Sequence, residues 1–305
     1  MKKPMSKWRI AVLILCAAVA TLSCLMLISY FSDLARENRM NDELRELYHD
    51  GENPWVTSTP ITPEPTATVT PVPTAAPAPT EVIPQMLPRI QYPGQGAFLM
   101  PTEKFLKLKQ KNTDITGWLT VDEVVDNAVV QRDNEYYLTR DYLNKKNVNG
   151  AIFLDESISL QTRPYTLMMF GHNMKTGAMF GKLLKYKECT WYRKHAYASF
   201  ETQYEEGEYI IFSAGKIQAV PGPNYVNLYA LMTDLPESRE SVIRQLQNVS
   251  FFHTGIEVRP EDQLLLLVTC DGDIEERFVV AARRLREGEN KSELDLQIMQ
   301  SYQVR

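Results

Sequence analysis

The chain has 305 residues, 44% of them hydrophobic, enough to bury one or two sizeable cores. Its net charge of −5, from 33 basic and 38 acidic residues, offers no basic surface for nucleic acid. Four cysteines are too few for a disulfide framework, and two of them, Cys16 and Cys24, fall in an N-terminal apolar run.

That run sets the compartment. Lys2, Lys3, Lys7 and Arg9 precede an uncharged segment, residues 10–31, which at about 1.5 Å per residue matches a hydrocarbon core of roughly 30 Å. The flanking positive charge predicts a cytoplasmic N-terminus, a single membrane pass and an extracellular remainder. A signal peptide could be cut at Ala18-Val19-Ala20, but the apolar run continues well past that site. A lipoprotein site at "TLSC" fits poorly, with Thr21 where leucine is usual. Residues 1–32 are therefore read as a cytoplasmic N-terminus and uncleaved signal anchor. Residues 33–53 place Met40, Leu44, Leu47 and Tyr48 at helical spacing, which predicts a short juxtamembrane helix. They are too few to specify a dimerising coil. Residues 54–90 are rich in Pro, Thr and Ala. Such a tract packs no core and is expected to be an extended extracellular spacer holding the folded unit off the bilayer.

Residues 91–305 read as one domain. In chain order, a helix is predicted over 102–111, and a hairpin within 126–142, where two β-prone runs are broken by "RDN". A strand over 149–155 and an apolar strand over 163–173, ending at Gly171, come next, then a helix over 179–187. A long hairpin over 196–220 turns at 205–207, and a helix over 236–247 has Val242, Leu246 and Val249 on one face. Strands 264–270 and 277–285 close the series. Strands outnumbering helices predict a β-barrel or sandwich with helices laid on it.

Chemistry concentrates at two strand ends. In "QLLLLVTCDGDIEERFVV", residues 263–280, a strand buried on both faces delivers Cys270 to its open end, and Arg277 opens the next apolar run. His172 follows another buried strand and Gly171, whose freedom to turn presents the next side chain at the strand end. A Cys–His pair suits nucleophilic catalysis; a buried structural cysteine and a capping histidine fit the same residue types. The other histidines carry less: His49 lies at the stalk, and His195 and His253 read as surface or packing residues. Asp271, Asp273, Glu275 and Glu276 read as a solvated turn, and Cys189 as a buried, inert thiol.

The stretches "YTLMMFGHNMKTGAMFGKLLKY" and "LLLLVTCDGDIEERFVV", behind an anchor and a stalk, resemble the sortases, class B most of all. "DITGWLTV", "DNEYYLTRDYL" and "GAIFLDE" add to the resemblance, which spans about residues 105–285. It implies a mainly β fold, a closed barrel of about eight strands with peripheral helices. It also implies a cysteine transpeptidase in which Cys270 attacks a sorting-signal peptide to form a thioester. Arg277, with the backbone N–H of Asp271, would stabilise the oxyanion. His172 would protonate the leaving amine and later deprotonate an incoming cell-wall precursor amine. The resemblance places Tyr225 and Val226 in the peptide pocket and requires no metal or organic cofactor. The partners it implies are an NPQTN-like sorting signal of a surface protein, the amine of a peptidoglycan precursor and the membrane, with no nucleic acid. Two departures are visible: Leu266 stands where the family's TLxTC pattern has its first threonine, and the connection "DGDIEE" is short. The alternatives are a pilin-polymerising sortase and a non-catalytic stalked binding module that keeps the fold. A Cys189–Cys270 disulfide would favour the latter. An L,D-transpeptidase is disfavoured, because its Ser-, Arg- and Gly-rich cysteine motif is missing.

Overall fold

The computed structural model describes residues 7–49, 86–88, 100–271 and 273–305. The Pro/Thr tract expected as a spacer lies outside the described residues except for 86–88. The chain opens with α1 (Lys7–His49), an unbroken helix of 43 residues. The boundary expected between anchor and juxtamembrane helix is therefore not a break in the backbone. From Val12 to Phe31 the described apolar side chains of α1 stand exposed, whereas Met40, Leu44 and Tyr48 are buried against the domain.

Strands β1 (Ile115–Val121), β2 (Val125–Val130), β3 (Phe153–Leu154), β4 (Thr166–Phe170), β5 (Tyr197–Thr202) and β6 (Glu206–Gln218) are followed by β7 (Phe252–His253), β8 (Leu264–Asp271), β9 (Asp273–Arg284) and β10 (Tyr302–Gln303). Eight of them close a barrel in the order β1-β2-β3-β4-β8-β9-β6-β5, while β7 and β10 pair separately. The expected closed barrel with peripheral helices is present. Closure leaves no barrel strand with an unpaired edge, which is how an antiparallel-rich sheet avoids edge-to-edge association. Its interior and the seams beneath the helices form one core, from Trp118 and Leu119 through Met168 and Met169 to Leu264–Val268 and Val279–Ala282.

The peripheral helices are α2 (Glu103–Lys111), the single turn α3 (Cys189–Tyr192), α4 (Pro236–Val249) and α5 (Lys291–Gln300). On α4, Val242, Ile243 and Leu246 form the buried stripe, close to the face predicted. Arg239, fully buried on the same helix, donates to the carbonyls of Leu231, Tyr165, Pro260 and Asp262 and to Thr166 Oγ1. It thereby ties the 219–235 connection to the start of β4.

Two expectations need correcting, and one element was not foreseen. Residues 126–142 are not a hairpin: β2 pairs antiparallel with the preceding β1, and Tyr136–Leu138 is a 3₁₀ turn. The Asp133 carboxylate accepts from the N–H groups of Glu135 and Tyr136 at 3.2 and 2.8 Å, offering the backbone a local turn in place of a ladder. Residues 179–187 do not form an α-helix. Met179 sits at φ 50°, outside the helical region, and only Leu183–Lys187 winds, as 3₁₀. Helix α5 was not expected; its Leu294 and Ile298 make a stripe of only two buried residues, too weak a period to read.

Because Met40, Leu44 and Tyr48 belong to the core, a truncation beginning at residue 86 should be less stable than one beginning at residue 33. At about 1.5–3 kcal/mol for each buried side chain, the thermal midpoint should fall by roughly 10 °C or more. Calorimetry of the two fragments checks this.

Candidate active site

Strands β4 and β8 run parallel, with Thr166 opposite Leu264 and Phe170 opposite Val268. Parallel neighbours end at the same rim of the barrel, and continuing the register brings His172 level with Cys270. Thr269, itself buried, locks the two ends together by donating from Oγ1 to the Gly171 carbonyl at 2.7 Å. Asn173 Nδ2 donates to the Cys270 carbonyl at 3.0 Å. Strand β8 is buried on both faces from Leu264 to Thr269, and Cys270 is its first exposed residue.

On the other side of β8, Cys270 lies directly opposite Arg277 of β9. Residues directly opposite in an antiparallel pair project from the same face, so the thiol and guanidinium share a face. The register is interrupted between Cys270 and Asp271, so Ile274, Glu275 and Glu276 are the extra residues between the Asp271–Asp273 and Cys270–Arg277 pairs. The short connection therefore closes as a bulged hairpin and still aligns Arg277 with Cys270. A bulge at a barrel rim re-aims side chains in this way.

His172 is held from a third direction. Its Nε2 lies 2.8 Å from the Leu138 carbonyl. A carbonyl only accepts, so Nε2 carries a proton in this contact and Nδ1 is left to gain or lose the second one. The ring also packs on Gly150, at φ +62°, where an added Cβ would lie 3.2 Å from His172 Cδ2 and 2.5 Å from the Tyr137 carbonyl oxygen. Gly150→Ala is expected to cost on the order of 1–3 kcal/mol through its left-handed backbone. It should also lower turnover by displacing the imidazole; a thermal melt and a kcat measured on the same variant check both.

Cys270, His172 and Arg277 line one cavity of about 240 Å³, together with Asn134, Leu138 and Tyr229. Asn134, Leu138 and Tyr229 were missed in the sequence, although each lies within or beside a stretch already singled out. Tyr229 donates to the fully buried Asp155 at 2.9 Å, and Asn134 Nδ2 donates to the same carboxylate oxygen at 3.1 Å. Burial and the Asp155 carboxylate push the Tyr229 hydroxyl up to about 12, so it stays a neutral donor. Tyr225 and Val226 do not line this cavity. Val226 is 4% exposed and belongs to the core, so its side chain has little surface to offer a peptide. Tyr225 lines a separate cleft against α4 with Glu237 and Gln245.

Asp271 is not simply solvated: Lys187 Nζ stands 3.0 Å from its Oδ2, which offsets an acidic charge beside the thiol. Cys189 is buried, with Sγ 3.3 Å from Ser301 Oγ, and neither it nor Cys270 is in a disulfide. His195 is buried with its ring centroid 3.9 Å from that of Trp191, a packing role, and His253 stacks on Tyr302. Among the described residues no group of three or more His, Cys, Asp or Glu side chains is gathered as a metal site would need.

The fold is that of the sortases. Sortase B from Bacillus anthracis in complex with AAEK2 superposes with a TM-score of 0.60 at 22% identity, covering 84% of this chain and 98% of that one. In sequence, sortase B of Listeria monocytogenes is 30% identical over 168 residues, 54% of this chain and 65% of that protein. Sortase B of Staphylococcus aureus is 26% identical over 190 residues, 60% of this chain and 75% of that protein. No family model matches the chain. In sequence the chain is similar to class B sortases, spanning 65% of the length of the Listeria protein, and it shares their fold.

Proposed function

We propose that this protein is a membrane-anchored cysteine transpeptidase that attaches surface proteins to the cell wall. The observation that carries the reading is the exposed Cys270, at the end of a buried strand, sharing one cavity with His172 and Arg277. The β8 strand is a rigid post for the sulfur, since sites built on strands hold geometry better than loops. Cys270 Sγ attacks the carbonyl carbon of the scissile peptide bond. The electrons pushed onto oxygen are met by the Arg277 guanidinium and, in this reading, by the backbone N–H of Asp271. His172 gives its proton to the departing amine, leaving a thioester on Cys270. It then takes a proton from the incoming amine, which displaces the sulfur and forms the new amide. Leu138, Asn134 and Tyr229 form the wall against which the sorting signal lies.

The apolar part of α1 is long enough, by length and composition, to cross a membrane. With residues 1–32 as cytoplasmic N-terminus and anchor, the barrel stands outside the cell. The 54–90 tract is then an extracellular linker, and residues 91–305 the catalytic domain.

The test is transfer. The full chain in detergent is mixed with NPQTN-type peptides, with and without a primary amine such as triglycine, and products are resolved by mass. An amide between the N-terminal peptide fragment and the added amine, formed only when Cys270 is present, supports the reading. Release of free acid alone, at a rate indifferent to the amine, would make the protein a peptidase rather than a transferase.

A further inference from the structure

The last third of α1 is built into the barrel. Glu37, Met40, Leu44 and Tyr48, a stripe at helical spacing, are 3%, 6%, 2% and 7% exposed. Glu37 Oε2 accepts from Asn147 Nδ2 at 3.2 Å and from Asn149 Nδ2. Arg45 Nε donates to the Asp126 carbonyl at 2.8 Å. The Tyr48 ring stacks on Trp118 with centroids 4.2 Å apart, and its hydroxyl donates to Glu201 at 2.6 Å. A helix attached by an apolar stripe, a buried carboxylate and a stacked ring is docked.

The chain after His49 returns to the same body. Leu87 N–H donates to the Asp234 carbonyl at 2.8 Å, and Tyr165 donates to the Pro88 carbonyl. At the start of α2, Lys104 Nζ lies 4.2 Å from the centre of the Tyr48 ring. The described residues on either side of 50–85 are therefore both held on the barrel. A connection whose two flanks are held on one body cannot set the distance between that body and the membrane.

The same helix fixes which side faces the bilayer. Glu37 is the buried position nearest the apolar segment, about six residues beyond Phe31, or roughly 9 Å along the axis. Its partners Asn147 and Asn149 belong to a loop that exposes Lys145, Lys146 and Val148, the last at 78%. Two lysines just before an exposed valine suit a surface of anionic lipid headgroups, at about 1 kcal/mol for each cation. Gly150, which follows Asn149, packs on His172.

We propose that residues 36–48 clamp the barrel directly onto the membrane helix, holding the 139–149 loop and the cavity rim beside it against anionic lipid, and that the Pro/Thr tract is a bypass rather than a spacer. The proposal rests on α1 being the membrane anchor. The test uses the full chain in phosphatidylcholine vesicles with 30% phosphatidylglycerol, ~0.3 mole fraction of anionic lipid. Cys16, Cys24 and Cys270 are replaced, buried Cys189 is kept, and a fluorophore is placed on one introduced cysteine at Val148→Cys or Glu103→Cys. Quenching by headgroup-labelled lipid should be stronger at position 148 than at 103. Neither value should change when residues 58–78 are deleted. In a Glu37→Arg, Leu44→Asp variant the quenching should weaken and become dependent on tract length. A quenching level that follows tract length in the chain with α1 intact would overturn the proposal, as would equal quenching at the two positions. A chain that does not float with the vesicles would instead refute α1 as the anchor.

Discussion

Replacing Cys270 by alanine is expected to lower peptide cleavage and transfer by on the order of 10,000-fold or more, to the level left by binding and oxyanion contacts alone. The size of the effect follows from position. Cys270 is the only exposed cysteine among residues 100–271 and 273–305, and Cys189 is enclosed against Ser301, so no second thiol can take its place. Stability should hardly change, because the side chain lost is at the surface and Thr269, the residue that joins β8 to the end of β4, is untouched. Steady-state rates beside a thermal melt check the prediction. A variant that melts normally yet keeps a tenth of the activity would move the nucleophile elsewhere.

Arg277→Ala is expected to reduce kcat/KM by roughly 100- to 1,000-fold, the usual loss when one donor to a developing oxyanion is removed. The loss should fall mainly on kcat, since in the proposed reaction the charge that Arg277 meets exists only once the thiol has attacked. Arg277→Lys should recover part of it, because the charge returns without the planar fork of donors. If KM rises with kcat unchanged, Arg277 holds the peptide and does not stabilise the transition state. The bulge beside Cys270 makes this variant informative: the backbone register of Cys270 against residue 277 is set by ladder bonds that the substitution leaves in place.

How much could be read in advance depended on how local the signal was. The strand that carries Cys270 was legible because a run buried on both faces has no polar alternation to confuse it, and the glycine before His172 marked the end of β4. The hairpin at β5 and β6 was legible from its turn. The false hairpin over 126–142 came from β-prone tyrosines that an aspartate side chain diverts into a 3₁₀ turn. The cavity wall was harder. Tyr229 and Tyr225 lie in one stretch, "NYVNLY", and nothing local says which faces the thiol. The choice is made by distant groups: buried Asp155 takes the Tyr229 hydroxyl, and Arg239 pins the connection through the Leu231 carbonyl. The docking of α1 was half visible, since Met40, Leu44 and Tyr48 gave the stripe. Its partner surface, Trp118 and the 147–149 loop, is remote in sequence.

The most direct measurement is the intact mass of the full chain in detergent, acid-quenched during turnover of an NPQTN-type peptide, beside a Cys270→Ala control. The account predicts an added mass equal to the N-terminal acyl fragment, located on Cys270 and lost on treatment with hydroxylamine. Peptide consumed without any such adduct, or an adduct that persists in Cys270→Ala, would contradict it.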